Sequence, residues 1–186
     1  MTSSPRLAWD RLTDGTLTCE EHLRVAVTEP IDLGKVLQRL ERAHFAEVER
    51  ASFGVIRCHR QVDGVVCAAA GRWPALAFGS PETTLTATAG RRCWPIRDGL
   101  LARPSATLGT LTLAVERQGE GLLLTSAVEG FPSRFLGDPL PGLPRELWRV
   151  VGHLYVGYHR HVSFRSLERV ARELRGRRPH SRGCLP

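Results

Sequence analysis

An α+β fold, in which a curved antiparallel sheet of about six to seven strands packs around one long C-terminal helix, is what this sequence predicts. Three observations predict it. Several segments alternate apolar and polar residues with a period of two, the mark of strands with one buried face. One segment near the N-terminus changes to a helical period. The final long segment, Leu143 to Leu174, has no internal proline beyond its first turn and repeats apolar residues at three- and four-residue steps. A closed β-barrel with an appended C-terminal helix would give nearly the same pattern and is the alternative architecture.

Taken in order, residues 1–15 read as a flexible lead-in, with Trp9 docking onto the body. The first strand spans Leu17 to Thr28, where Leu17, Cys19, Leu23, Val25 and Val27 alternate with polar residues. Glu21 is the exception, a carboxylate in the apolar register. Asp32 is placed to cap a helix whose stripe is Val36, Leu37, Leu40, Ala43 and Val48. From Phe53 the period returns to two, and Asp63-Gly64 predicts a two-residue hairpin that pairs Val62 with Val65. Thr83 to Ala89 reads as a strand, and Trp94 to Ser105 as the start of a strand followed by a loop. A second hairpin around Gly119-Glu120-Gly121 joins Thr110–Glu116 to Leu122–Val128. A proline-rich connection leads to the last helix, with Pro144 in its first turn and Gly176 at its end. A change of phase near Ser163 allows that helix to be kinked or split in two. The domain is therefore 16–175, followed by a basic disordered tail, 176–186.

The composition is that of an ordinary globular domain, 42% hydrophobic and 24% charged over 186 residues. The net charge of +7 invites a nucleic-acid reading. Arg175, Arg177, Arg178 and Arg182 lie in or beside the tail with no acid among them, which leaves the body at about +3. Of 26 basic residues only Lys35 is a lysine, as a GC-rich genome would supply. No signal-peptide core opens the chain, and no segment reaches the length of a membrane helix. Five cysteines without a regular framework fit a reducing cytoplasm.

Cys58, His59 and Cys67 resemble a metal cluster only until they are placed on strands. In the predicted hairpin the two sulfurs are diagonal neighbours, on the order of 7 Å apart and too far for a disulfide. His59 points to the opposite face, so no metal is expected there. Arg60 shares the inward face near the turn, where it would hold a ligand carboxylate or reach to water. Inward-facing Glu21 would be desolvated, its pKa raised, and available for acid-base work, unless a bulge at Glu20-Glu21 turns it outward. On the last helix the predicted apolar face is Leu147, Val151, Leu154, Tyr158 and His161 or Val162, with Arg165 one turn beyond His161 and His159 pointing away. Tyr158 and His161 would project together into a cavity as a proton-transfer pair. No phosphate loop, dinucleotide fingerprint or nucleophile elbow is present, and no cofactor is expected.

The order of elements (strand, helix, a run of antiparallel strands, one long final helix) resembles the helix-grip fold of the START/Bet v1-like group, which includes polyketide cyclase/dehydrase and lipid-transfer proteins. The resemblance spans nearly the whole chain and rests on element order, with no residue motif to carry over. It implies a pocket between sheet and last helix for a hydrophobic, polyketide- or isoprenoid-like molecule. If the protein is an enzyme, it implies cyclisation, dehydration or isomerisation without a cofactor. Glu21, Tyr158 and His161 are the candidate catalytic groups, and Arg60, Trp94, Leu154 and Arg165 the candidate ligand contacts. A non-catalytic carrier or regulator using the same pocket is the first rival. A nucleic-acid-binding protein using the arginine tail is the second.

Overall fold

The computed structural model describes residues 7–13, 16–27, 30–103, 109–136 and 144–176. Strand β1 (Leu7–Thr13) pairs with β2 (Thr16–Ala26), so part of the segment expected as a flexible lead-in forms a strand. Helix α1 (Leu33–Ala51) follows, capped by the Asp32 carboxylate, which accepts from the amides of Gly34 and Lys35. Then come β3 (Ile56–Gln61), β4 (Gly64–Ala69), β5 (Trp73–Phe78), β6 (Glu82–Leu85), β7 (Ala89–Asp98), β8 (Thr110–Gln118) and β9 (Gly121–Pro132). A 3-10 turn (Arg134–Leu136) precedes α2 (Arg145–Arg175) among the described residues.

The strands lie in the order β1-β2-β9-β8-β7-β5-β4-β3, all antiparallel, with β6 paired to β7 off this path. The outer strands β1 and β3 do not pair with each other, so the sheet is open. This settles the architecture as the helix-grip arrangement and not the closed barrel. The described residues contain more strands than predicted because β1 and β5, where no strand was expected, add to the count. The expected strand Thr83–Ala89 is instead the end of β6, the turn 86–88 and the start of β7.

Both helices cover one face of the sheet. Helix α1 packs on β3, β7 and β8, and α2 packs on β2, β9 and α1. The core joins Leu17, Leu111, Leu113, Leu124 and Phe131 of the sheet to Val36, Leu37 and Leu40 of α1 and Leu167, Val170 and Leu174 of α2. Each fully buried aliphatic or aromatic side chain contributes roughly 1.5–3 kcal/mol.

The β3–β4 register corrects the expected hairpin. Gln61 pairs with Gly64 around a Val62-Asp63 turn, which sets Cys58 directly opposite Cys67, and the two form a disulfide. The reason lies at Gly64, whose φ is +150° and where a Cβ would sit 1.9 Å from the Phe78 carbonyl oxygen. Close approach of β5 draws this glycine into the strand, so it is not the second turn residue.

Helix α2 is continuous through Ser163. Its buried face is Trp148, Gly152, Tyr155, Val162, Ser166, Leu167 and Val170, one residue out of phase with the predicted stripe. Leu147, Val150 and Leu154 face outward, Leu154 at 69% exposure. Two physical causes favour the observed phase. Trp148 and Tyr155 join Phe131 and Phe135 in an aromatic cluster with ring centroids 5.2–6.3 Å apart. Further along, the small Ser163 lets the helix approach β9 closely enough for its hydroxyl to meet that of Ser126 at 3.1 Å.

Candidate functional site

Where α1, α2 and the concave face of the sheet meet, they leave an apolar cavity of about 40 Å³. Val48 of α1, Ile56, Cys67, Leu76 and Phe78 of β3–β5, Ile96, Leu111, Val128 and Phe131 of β7–β9, and Val162 of α2 line it. Three polar side chains interrupt this wall: His44, Tyr158 and His159.

The Nδ1 of His44 and the Nε2 of His159 are sealed from solvent and have no hydrogen-bond partner. Burial, with a smaller contribution from neighbouring His159, pushes the His44 imidazole down to about 3. Burial likewise takes His159 down to about 4. Both rings are therefore neutral at pH 7. Aromatic packing orients His159: Tyr155 meets it edge-on at 4.6 Å, and Phe131 lies 6.3 Å away. Tyr155 is itself pushed upward by burial; a Ser133 contact offsets part of this, although no bond of normal geometry joins the two hydroxyls.

Tyr158 is half-buried, and burial raises its hydroxyl to about 12. That hydroxyl donates to the Val48 carbonyl of α1 at 3.0 Å. On its far side Tyr158 walls a second space, an open cleft of about 340 Å³ bordered by Glu47, Arg50, Phe53, His161, Arg165 and Arg172. One side chain thus separates an apolar interior from an arginine-rich surface.

Three of the predicted site residues come together at this cleft: Tyr158, His161 and Arg165. The expected face is corrected for two of them. His161 and Arg165 are exposed and open to the cleft, outside the apolar cavity, because the helix is rotated by one residue. Leu154 points to solvent and makes no wall of the cavity. Trp94 is 1% exposed, packed edge-on against Phe45 at 5.9 Å within the core. Arg60 reaches across to α1 and ion-pairs with buried Glu41, which also binds Arg92. Glu21 does face inward, 3% exposed, with no bulge at Glu20-Glu21 in its pairing with β9. It is not a cavity residue; its carboxylate meets the Arg160 guanidinium of α2 at 3.2 Å.

Two histidines that were not among the predicted site residues, His44 and His159, do reach the cavity. His44 was legible: it lies one turn after Leu40 and one turn before Val48, on the apolar stripe of α1. His159 was hidden by the misphased stripe on α2.

No family model matches the chain, and no curated protein aligns with it. Among solved structures it is similar to a fragment of a STAR-related lipid transfer protein from Xanthomonas axonopodis. The two share 12% identity with a TM-score of 0.47, over 92% of this chain and 98% of that one. It is also similar to CalU16 from Micromonospora echinospora, with 11% identity and a TM-score of 0.36, over 92% and 94%. A third likeness is to Ara h 8.0201, with 15% identity and a TM-score of 0.40, over 81% and 97%. These likenesses are of overall shape, and the functional reading comes from the residues lining the cavity.

Proposed function

We propose that the protein binds a hydrophobic small molecule, polyketide- or isoprenoid-like in size and polarity, between its sheet and α2. The observation that carries this reading is the pair of unpartnered imidazole nitrogens, on His44 and His159, in the wall of an otherwise apolar cavity. A buried polar group without a partner costs about 1–3 kcal/mol. A ligand hydroxyl or carbonyl that reaches either ring recovers part of that cost. At about 40 Å³ the cavity has room for about one water. A larger ligand therefore enters only as side chains and α2 yield, and the Tyr158–Val48 bond lies at the boundary that must open.

The same histidines favour binding over proton abstraction. An imidazole lowered to about 3 or 4 is a weak base at pH 7, suited to hydrogen-bonding an oxygen rather than taking a proton. The reading is therefore a carrier or sensor, and catalysis of cyclisation, dehydration or isomerisation would need product formation to establish it. Native mass spectrometry of gently purified protein, compared with its denatured mass, tests the proposal. A small-molecule mass that leaves on denaturation supports it. A bare chain that also takes up no apolar alcohol counts against it.

A further inference from the structure

We propose that the cleft on the outer side of Tyr158 holds the anionic headgroup, a carboxylate or phosphate, of an amphiphile whose apolar part occupies the cavity. The inference rests on the cavity reading above and gives its ligand a chemical class. Arg50, Arg165 and Arg172 all border the cleft, with His161 beside them and Glu47 as the one acid in its wall. Glu47 is already engaged, 2.5 Å from Arg50 and 3.6 Å from Arg169. Arg165 is held by Glu168 at 3.0 Å, whereas Arg172 has no carboxylate partner among the described residues. The wall thus keeps a positive excess at one spot on a body whose charge is otherwise nearly balanced. Arg50 also stands in the last turn of α1, where it offsets the negative end of that helix.

Phe53 gives the cleft an apolar lip. It has a φ of 52°, a conformation that residues with side chains rarely take, and it is 96% exposed. Its amide donates to the Arg50 carbonyl at 3.0 Å and that of Gly54 to the Glu49 carbonyl at 2.8 Å, so the turn fixes the ring beside the arginines. A headgroup in the cleft would lie against Tyr158, and its chain would pass that ring into the apolar cavity. Guanidinium groups match the oxygens of carboxylate and phosphate in geometry as well as charge.

The test is calorimetric titration of the full chain with decanoate, decyl phosphate and decanol, each kept monomeric. A parallel arm sediments the protein with phosphatidylcholine vesicles containing phosphatidic acid. Both acids should bind at least about tenfold more tightly than decanol, since charge-assisted contacts add to a common apolar one. The Arg165→Gln/Arg172→Gln double variant should bring both acids down to the affinity of decanol, with an unchanged thermal midpoint showing that it folds. Equal affinity for the three probes in the unaltered protein would overturn the headgroup site and leave the cavity reading standing. Failure of all three to bind would overturn both. Capture by acidic vesicles without uptake of monomeric acid would also overturn it, and would assign the arginines to a membrane surface.

Discussion

The Tyr158 hydroxyl on α2 and the Val48 carbonyl on α1 form a 3.0 Å hydrogen bond that joins the two helices at the wall between cavity and cleft. Tyr158→Phe keeps the ring and removes only this bond. Its loss is expected to cost about 1 kcal/mol of stability, the usual net worth of such a bond. Ligand uptake should become faster, because the helices then separate more readily. Thermal denaturation and stopped-flow binding check the two parts.

The neutral histidines give stability a defined pH dependence. Their folded values, about 3 for His44 and about 4 for His159, lie below the unfolded value of 6.5. A depressed value means that the unfolded chain binds protons first. Stability is therefore complete above pH 6.5 and falls as pH drops toward 4, by up to about 1.4 kcal/mol per pH unit for each ring. The diagnostic quantity is the difference between the unaltered protein and a variant that lacks one ring. In urea titrations at pH 7 and pH 5, His159→Phe should lose less stability on acidification than the unaltered protein. Equal losses would show that His159 is not held neutral.

Glu21 and Arg160 tie β2 to α2 at 3.2 Å, with the carboxylate buried and the guanidinium partly open to water. Removing one member of a buried pair costs roughly 3–5 kcal/mol. Solvent at Arg160 reduces this, so Glu21→Gln should cost about 1–3 kcal/mol in a urea titration. Decanol affinity should change little, since Glu21 does not line the cavity. A stable variant that had lost ligand uptake would instead return Glu21 to the binding site.

The Cys58–Cys67 disulfide closes a short loop, with a sequence separation of 9. Loop-closure entropy alone gives it about 2–3 kcal/mol. Denatured protein should take up two more alkyl groups after reduction than before, measured as a mass shift. Reduction should also lower the denaturation midpoint. The bond persists where thiols are oxidised, so the alkylation count in cells reports on the compartment, for which the cysteine pattern had suggested a reducing cytoplasm.

The parts of this fold that could be read in advance are those where a single local preference decides. The alternating strand from Leu17, the Asp32 cap and the hairpin at Gly119-Glu120-Gly121 are of that kind, and all three hold. The parts that could not be read depend on contacts between distant segments. Asp63-Gly64 is a strong turn signal, but β5 approaches Gly64 so closely that the register moves by one residue and brings the cysteines together. On α2 two stripes of similar hydrophobicity lie one residue apart, and the aromatic partners Phe131 and Phe135 choose between them. That choice turns Leu154 and His161 outward and His159 inward. The grouping of Tyr158, His161 and Arg165 survived it because their mutual spacing does not depend on which way the helix faces.

Ligand binding as proposed requires the space between the sheet and α2 to open. Calorimetric titration of decanol into the unaltered protein and into Val162→Phe tests this most directly, because Val162 lines the cavity from α2 and a phenyl ring would fill it. Saturable binding at one site per chain is expected, abolished in Val162→Phe while its near-ultraviolet circular dichroism stays native. Equal binding by both proteins, or none by either, would contradict it.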